Sequence, residues 1–222
     1  MGSAHGILIN PETPEFPQPC QYVLLTHWSE TLWETATAIA KKQKSIIVVN
    51  EAMAEQLETL HKTGLPDVSI MPVNTDGEAA LPWGSLCVVP CGYEYRFPND
   101  PAPYQANGYV LSAEGHYIYY AGPTQLSPAL RDTGKLYKPD VAILPVGENF
   151  LQGEDLCKSV MWLGSDIILP LCAPDNDALK ADVYGVIDMY TPAICRFLNV
   201  EDEYVLSPVE ATGRTAGPEA RY

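Results

Sequence analysis

The chain has 222 residues, 46% hydrophobic and 18% charged, a mix that fits one globular domain and excludes disordered and fibrous classes. Its 28 acidic against 13 basic residues leave a net charge of −15, which opposes binding to phosphate backbones and argues against a nucleic-acid partner. Apolar runs such as 45–49 and 166–171 are strand-sized, so membrane insertion is not expected, and with no Lys or Arg before Lys41 neither a secretory signal nor a transit peptide is expected.

The opening GILINPETPEFPQPCQ reads as a short strand and then a loop, because Pro11, Pro14, Pro17 and Pro19 block regular structure. YVLLT, 22–26, reads as a buried strand. From Leu32 to Lys44 the apolar residues Leu32, Ala36, Ile39 and Ala40 fall on one helical face. The β-branched run 45–49 predicts a strand, and Asn50 then caps a second helix, 51–62, closed by Gly64. A strand over 67–73, a turn over 74–77 and a strand over 85–89 follow. Residues 109–112 and 117–121 flank Glu114-Gly115 as a hairpin. The second half alternates: helix 128–137, strand 141–146, helix 154–163, strand 166–171, a helical region 178–198 and a short strand near 204–206. The expected organisation is a single α/β domain over 1–208 with a loose tail over 209–222.

Six cysteines, at 20, 87, 91, 157, 172 and 195, form no C-x-x-C pair, and four lie inside apolar runs. They read as buried thiols of an intracellular, reducing compartment. Cys87 and Cys91 alone are a weak ligand pair. The Asp175-Asn176-Asp177 run lacks the rest of a calcium loop, so a capping role is expected. The tyrosines and Phe97 between positions 93 and 120 read as core and cross-strand packing. His27 beside Ser29 is no catalytic triad, and Gly122 to Thr124 is too short for a phosphate loop.

Five segments in order resemble the metallo-β-lactamase-fold superfamily, in the branch of ascorbate-6-phosphate lactonases and uncharacterised metal-dependent hydrolases. ILINP followed by YVLLTHWSETLWE resembles the strand that ends in T-H-x-H-x-D-H. AIAKKQKSIIVVNEAMAEQLETL is similar to the helix-strand-helix that follows. YIYYAGPTQLS resembles Y-x-x-G-D-T, and the stretch from LYKPDVAILPVG to LPLCAPDN resembles the segment ending in P-x-H. The resemblance runs from about Ile7 to Pro208. It implies an αββα four-layer sandwich holding two metals, usually zinc or manganese, whose bound hydroxide attacks the substrate.

The ligand positions implied by that resemblance are mostly altered. The first His is kept as His27; the next three positions fall on Ser29, Thr31 and Leu32. The later His falls near Tyr93 or Glu94, the bridging Asp on Pro123 and the final His on Cys172. Proline and leucine side chains carry no donor atoms. The expectation is therefore no catalytic residue and no metal, with a single zinc on His27, Glu94 and Cys172 as the alternative. The family also begins with a strand hairpin before the ILIDP-like segment, and this chain begins almost at it. Such N-terminal strands are expected to be missing, leaving a sheet edge to be covered by self-association, by a protein partner or by the long C-terminal tail.

Three functions are carried forward: an inactive scaffold, accessory subunit of a larger assembly or binding module; a residual hydrolase of small phosphorylated, lactone or ester substrates; and a ligand-binding module using the vacated cavity.

Overall fold

A computed structural model describes residues 6–15, 18–60, 67–98, 100–172, 176–198 and 202–206. Two sheets face each other. The first holds β1 (Ile7–Ile9), β2 (Tyr22–Leu24), β3 (Ile46–Asn50) and β4 (Ser69–Val73), all parallel and in chain order. The second has seven strands in the order β11-β10-β9-β8-β7-β6-β5. These are β5 (Glu78–Leu81), β6 (Gly84–Phe97), β7 (Asp100–Ala113), β8 (His116–Tyr120), β9 (Val141–Pro145), β10 (Ile167–Leu171) and β11 (Ile194–Cys195).

Alternation along the strands divides the interior into three packed regions. Tyr22, Leu24 and Val48 of the first sheet meet Leu86, Val88 and Tyr109 of the second between the sheets. The opposite faces of β2 and β3, through Val23, Ile47 and Val49, carry helix α1 (Glu30–Gln43) and helix α2 (Glu51–Leu60). The outer face of the second sheet, through Tyr119, Leu144 and Ile168, packs against α3 (Pro128–Tyr137), α4 (Gly153–Leu163) and α5 (Asp177–Tyr190). This is the expected αββα sandwich. Helix-sheet-sheet-helix layering follows because each sheet has two apolar faces to bury.

The hairpin turn at Glu114-Gly115 is where the sequence placed it, both residues taking positive φ of 52° and 84° and joining Ala113 to its partner His116. Helix α3 matches its predicted bounds. Four expectations need correction. Strand β6 runs on to Phe97 and β7 starts at Asp100, because backbone pairing between the two strands overrides the prolines at 90, 101 and 103. Helix α5 stops at Tyr190, since Pro192 disfavours helix in Thr191 before it, and 194–195 then add to the sheet edge as β11. Strand β5 was not foreseen. Residues 202–206 are irregular. The tail over 209–222, like the proposed end of the second helix at Gly64, lies outside the described residues.

A buried bond helps tie the two sheets together: the Tyr109 hydroxyl donates to the Leu25 carbonyl at 2.6 Å. Tyr109→Phe should therefore lower stability by about 1–2 kcal/mol, the cost of stranding a buried acceptor, read from the urea midpoint. An unchanged midpoint would mean that the carbonyl finds another partner.

Candidate functional site

The predicted ligand positions gather at one end of the sandwich, where β2, the middle of β6 and the loop after β8 meet. Thr26 ends the β2 run. Its backbone N–H is held by Asn10 Oδ1 at 3.0 Å, its hydroxyl accepts from Asn10 Nδ2 at 2.7 Å, and its carbonyl accepts from Asn107 N at 2.8 Å. The same hydroxyl lies 2.9 Å from His27 Nδ1. One imidazole nitrogen is thus committed to the protein, and the ring stands edge-on to Tyr93 and Tyr95 at 6.2 and 6.4 Å between centroids.

Tyr93 arrives there through a bulge. Pro90 pairs with Asn107 and Glu94 with Gln105, leaving Cys91, Gly92 and Tyr93 opposite Ala106 alone. The bulge is stitched down by Gln105 Nε2 donating to the Cys91 carbonyl at 3.1 Å and by Gly92 N donating to Thr124 Oγ1 at 2.9 Å. Cys91 Sγ donates to the Pro123 carbonyl at 2.9 Å. Burial pushes this thiol up to about 12, so it stays protonated. Beneath these groups Asn50 Nδ2 donates to Asn107 Oδ1 at 3.1 Å, joining the two sheets through buried amides. Gly122, with φ +65°, sits so close to β7 that a Cβ would stand 2.2 Å from the Asn107 carbonyl oxygen.

The structure brings His27, Tyr93 and Pro123 to this centre and sends the others elsewhere. Ser29 precedes α1 as its N-cap residue, with its carbonyl accepting from Trp33 N at 2.9 Å. Thr31 is exposed in the first turn of α1, and Leu32 packs toward the aromatic layer of Trp33, Tyr95 and Phe97. Glu94 is exposed. Cys172, half-buried at the end of β10, packs against the core under α3–α5. Among the described residues no three His, Cys, Asp or Glu side chains gather at metal-binding separation, so His27, Glu94 and Cys172 do not form a trio. Cys87 and Cys91 separate to opposite faces, into different cores. Asn176 caps α5 through Leu179 N at 3.0 Å, as expected; Asp175 is outside the described residues. An open cavity of about 510 Å³ lies elsewhere, between α3 and β6.

Sequence reasoning missed the part Asn10, Thr26 and Asn107 play here and gave Asn50 only the cap of the second helix, although ILIN and IIVVN each end an apolar stretch on an amide and QANGYV sets Asn107 just before one. That pattern marks strand ends whose polar groups need partners.

The donor chemistry here does not fit two divalent cations. The centre offers one imidazole with a single uncommitted nitrogen, a protonated thiol, amides and a proline carbonyl already accepting a bond; a dinuclear site needs several imidazoles and carboxylates. Burial lowers the His27 pKa, so the neutral ring is favoured. With the folded pKa below the unfolded value, the stability His27 contributes is present above about pH 6.5 and is lost as pH falls through the folded pKa. His27→Asn should flatten the fall in Tm between neutral and mildly acid pH. An identical pH profile in the variant would refute this.

No family model matches the chain. A UPF0173 metal-dependent hydrolase of Exiguobacterium sp. is 27% identical over 185 residues, covering 81% of this chain and 80% of that protein. Another, of Enterococcus faecalis, is 31% identical over 154 residues, 68% of this chain and 66% of that protein. Among solved structures, Igni18, a metallo hydrolase from Ignicoccus hospitalis, superposes with a TM-score of 0.62 at 19% identity, over 81% of this chain and 76% of that one. The metallo-beta-lactamase fold protein YhfI of Bacillus subtilis gives 0.59 at 10% identity, over 81% and 74%.

Proposed function

Because this chain belongs to the metallo-β-lactamase-fold superfamily and its sequence relatives bear the name of metal-dependent hydrolases, we propose that it keeps their fold as a non-catalytic protein, an accessory subunit or binding module. One observation carries the reading. In place of a cluster of imidazoles and carboxylates, the centre holds the Asn50–Asn107 amide pair and the Asn10–Thr26–His27 chain. In this reading hydrogen bonds perform the cross-linking of the two sheets that bridging ions perform elsewhere, and the protein needs no resident cation to fold. The bound-water chemistry of a hydrolase requires a Lewis acid held at an open position, and the groups at this centre are poorly suited to hold one. Six cysteines, all free thiols, support a reducing intracellular compartment. Among the described residues no helix is long and apolar enough to cross a membrane.

The relatives' names favour a second reading, a hydrolase of small phosphorylated, lactone or ester substrates with a zinc drawn onto His27, Glu94 and Cys172. Metal analysis separates the two. Protein purified without chelator should carry well under one equivalent of zinc, manganese or iron, and EDTA should leave its Tm unchanged. Stoichiometric metal, or turnover of an ester, lactone or phosphodiester panel that His27→Ala abolishes, would sink the first reading and establish the second.

A further inference from the structure

Side chains at the centre close a circuit. His27 Nδ1 lies 2.9 Å from the Thr26 hydroxyl, and the Thr26 carbonyl accepts from Asn107 N at 2.8 Å. Asn107 Oδ1 accepts from Asn50 Nδ2 at 3.1 Å. The Asn50 amide also stands beside the Tyr95 hydroxyl, and the Tyr95 ring returns to His27, 6.4 Å away between centroids. Among the described residues, donors around this circuit outnumber acceptors. Asn50 Oδ1 accepts from Met53 N at 2.7 Å, which turns Asn50 Nδ2 toward Asn107. The Asn107 atom facing it must then be the oxygen, and Asn107 Nδ2 has no acceptor among the described residues. The Tyr95 hydroxyl has no hydrogen-bond partner there either. Both residues are deeply buried, Asn107 at 1% exposure and Tyr95 at 6%. His27 supplies a third donor. The fully buried Thr26 hydroxyl already accepts from Asn10 Nδ2, and the acceptor within reach of its proton is His27 Nδ1, which puts the ring's hydrogen on Nε2. Stranded buried donors are a cost to the fold until something accepts from them.

From this geometry we infer that the circuit is a binding site for a small monocarboxylate, whose oxygens accept from Asn107 Nδ2, the Tyr95 hydroxyl and His27 Nε2. The inference rests on the reading of the chain as a binding module without a resident metal, and it names the ligand class of that module. An ionised carboxyl only accepts, with about four lone-pair sites, so it matches a set made of donors alone. A water molecule is a poorer match. Its own protons need acceptors, and Asn107 Oδ1 and the Pro123 carbonyl each already take one bond. A phosphate or sulfate dianion calls for a positive countercharge, and no Lys or Arg belongs to the circuit. A single negative charge can instead be held by fixed neutral donors in a water-poor setting, as oxyanions are. Tyr93, 41% exposed and edge-on to His27, marks the open side, so the rest of the acid points outward past these two rings.

The probe is sodium acetate, with sodium chloride holding the ionic strength constant. It is titrated into the isotope-labelled full chain after EDTA treatment and dialysis to remove the chelator. Saturable shifts of the Asn107 side-chain NH2 and His27 ring signals are expected. Tyr95→Phe, which removes one oxygen and keeps the ring, should weaken binding at least about tenfold. His27→Phe, at the half-buried rim, should do the same, and it carries the test if circular dichroism shows that Tyr95→Phe does not fold. Ser165→Ala removes another partnerless buried hydroxyl, just before β10, and should leave binding unchanged. Absence of saturable binding, binding that neither ring variant weakens, or an equal response to inorganic phosphate overturns the proposal. Its failure is distinct from that of the reading beneath it: stoichiometric metal sinks that reading, whereas metal-free protein that takes up no acetate sinks this inference alone.

Discussion

Gly122→Ala should destabilise the protein by roughly 3 kcal/mol, the sum of a left-handed backbone penalty and an overpacking cost. Gly122 has φ +65°, and an added Cβ would lie 2.2 Å from the Asn107 carbonyl oxygen and 3.2 Å from the Thr26 Cβ. The obstacle is backbone of a central strand, which cannot rotate away as a side chain would. Gly164 supplies the control: it also has φ +65°, at the C-cap of α4, but nothing stands within 4 Å of its added Cβ. Gly164→Ala should cost only about 1 kcal/mol, the conformational part. The difference between the two urea midpoints then measures how tightly the loop after β8 is pressed against β7. Equal losses would show that the loop after β8 does not press on β7.

Asn107→Ala is the second large effect, expected at about 2–3 kcal/mol. The side chain is 1% exposed and its Oδ1 accepts from Asn50 Nδ2. Truncation strands a buried donor and opens a small void. Asn50 has a further task, its Oδ1 accepting from Met53 N at 2.7 Å at the start of α2. Asn50→Ala therefore loses a helix cap as well, worth about 1 kcal/mol. A double-mutant cycle isolates the amide–amide contact, and a coupling of about 1 kcal/mol is expected because the pair is desolvated. Zero coupling would show that the two amides stabilise the protein separately, and the idea of a hydrogen-bonded link between the sheets would go with it. Adding zinc or manganese should rescue neither variant.

Much of the architecture was legible because hydrophobic period is a local signal. The runs at 22–26, 45–49, 141–146 and 166–171 are apolar but for an end residue (Thr26, Ser45 and Asp166), as strands covered on both faces must be, and the helices between them show the 3.6-residue stripe. Helix α3 and the Glu114-Gly115 turn were placed closely, since Pro128 at a helix start and a turn with two positive φ values each need particular residues. The long hairpin of β6 and β7 was not legible. Its prolines read as breakers, whereas the pairing of the two strands and the aromatic layer of Tyr95, Phe97, Tyr104 and Trp28 help hold it.

By itself, the order of residues determined that the Pro123 and Leu32 side chains carry no metal-binding atoms and that His27 stands just past an apolar strand. Those are facts of side-chain chemistry, independent of neighbours. Only the tertiary structure decided which groups meet at the centre. Asn10, Thr26, Asn50, Cys91 and Asn107 come from five separate parts of the chain, and hydrogen bonds between them exist only once two sheets have closed.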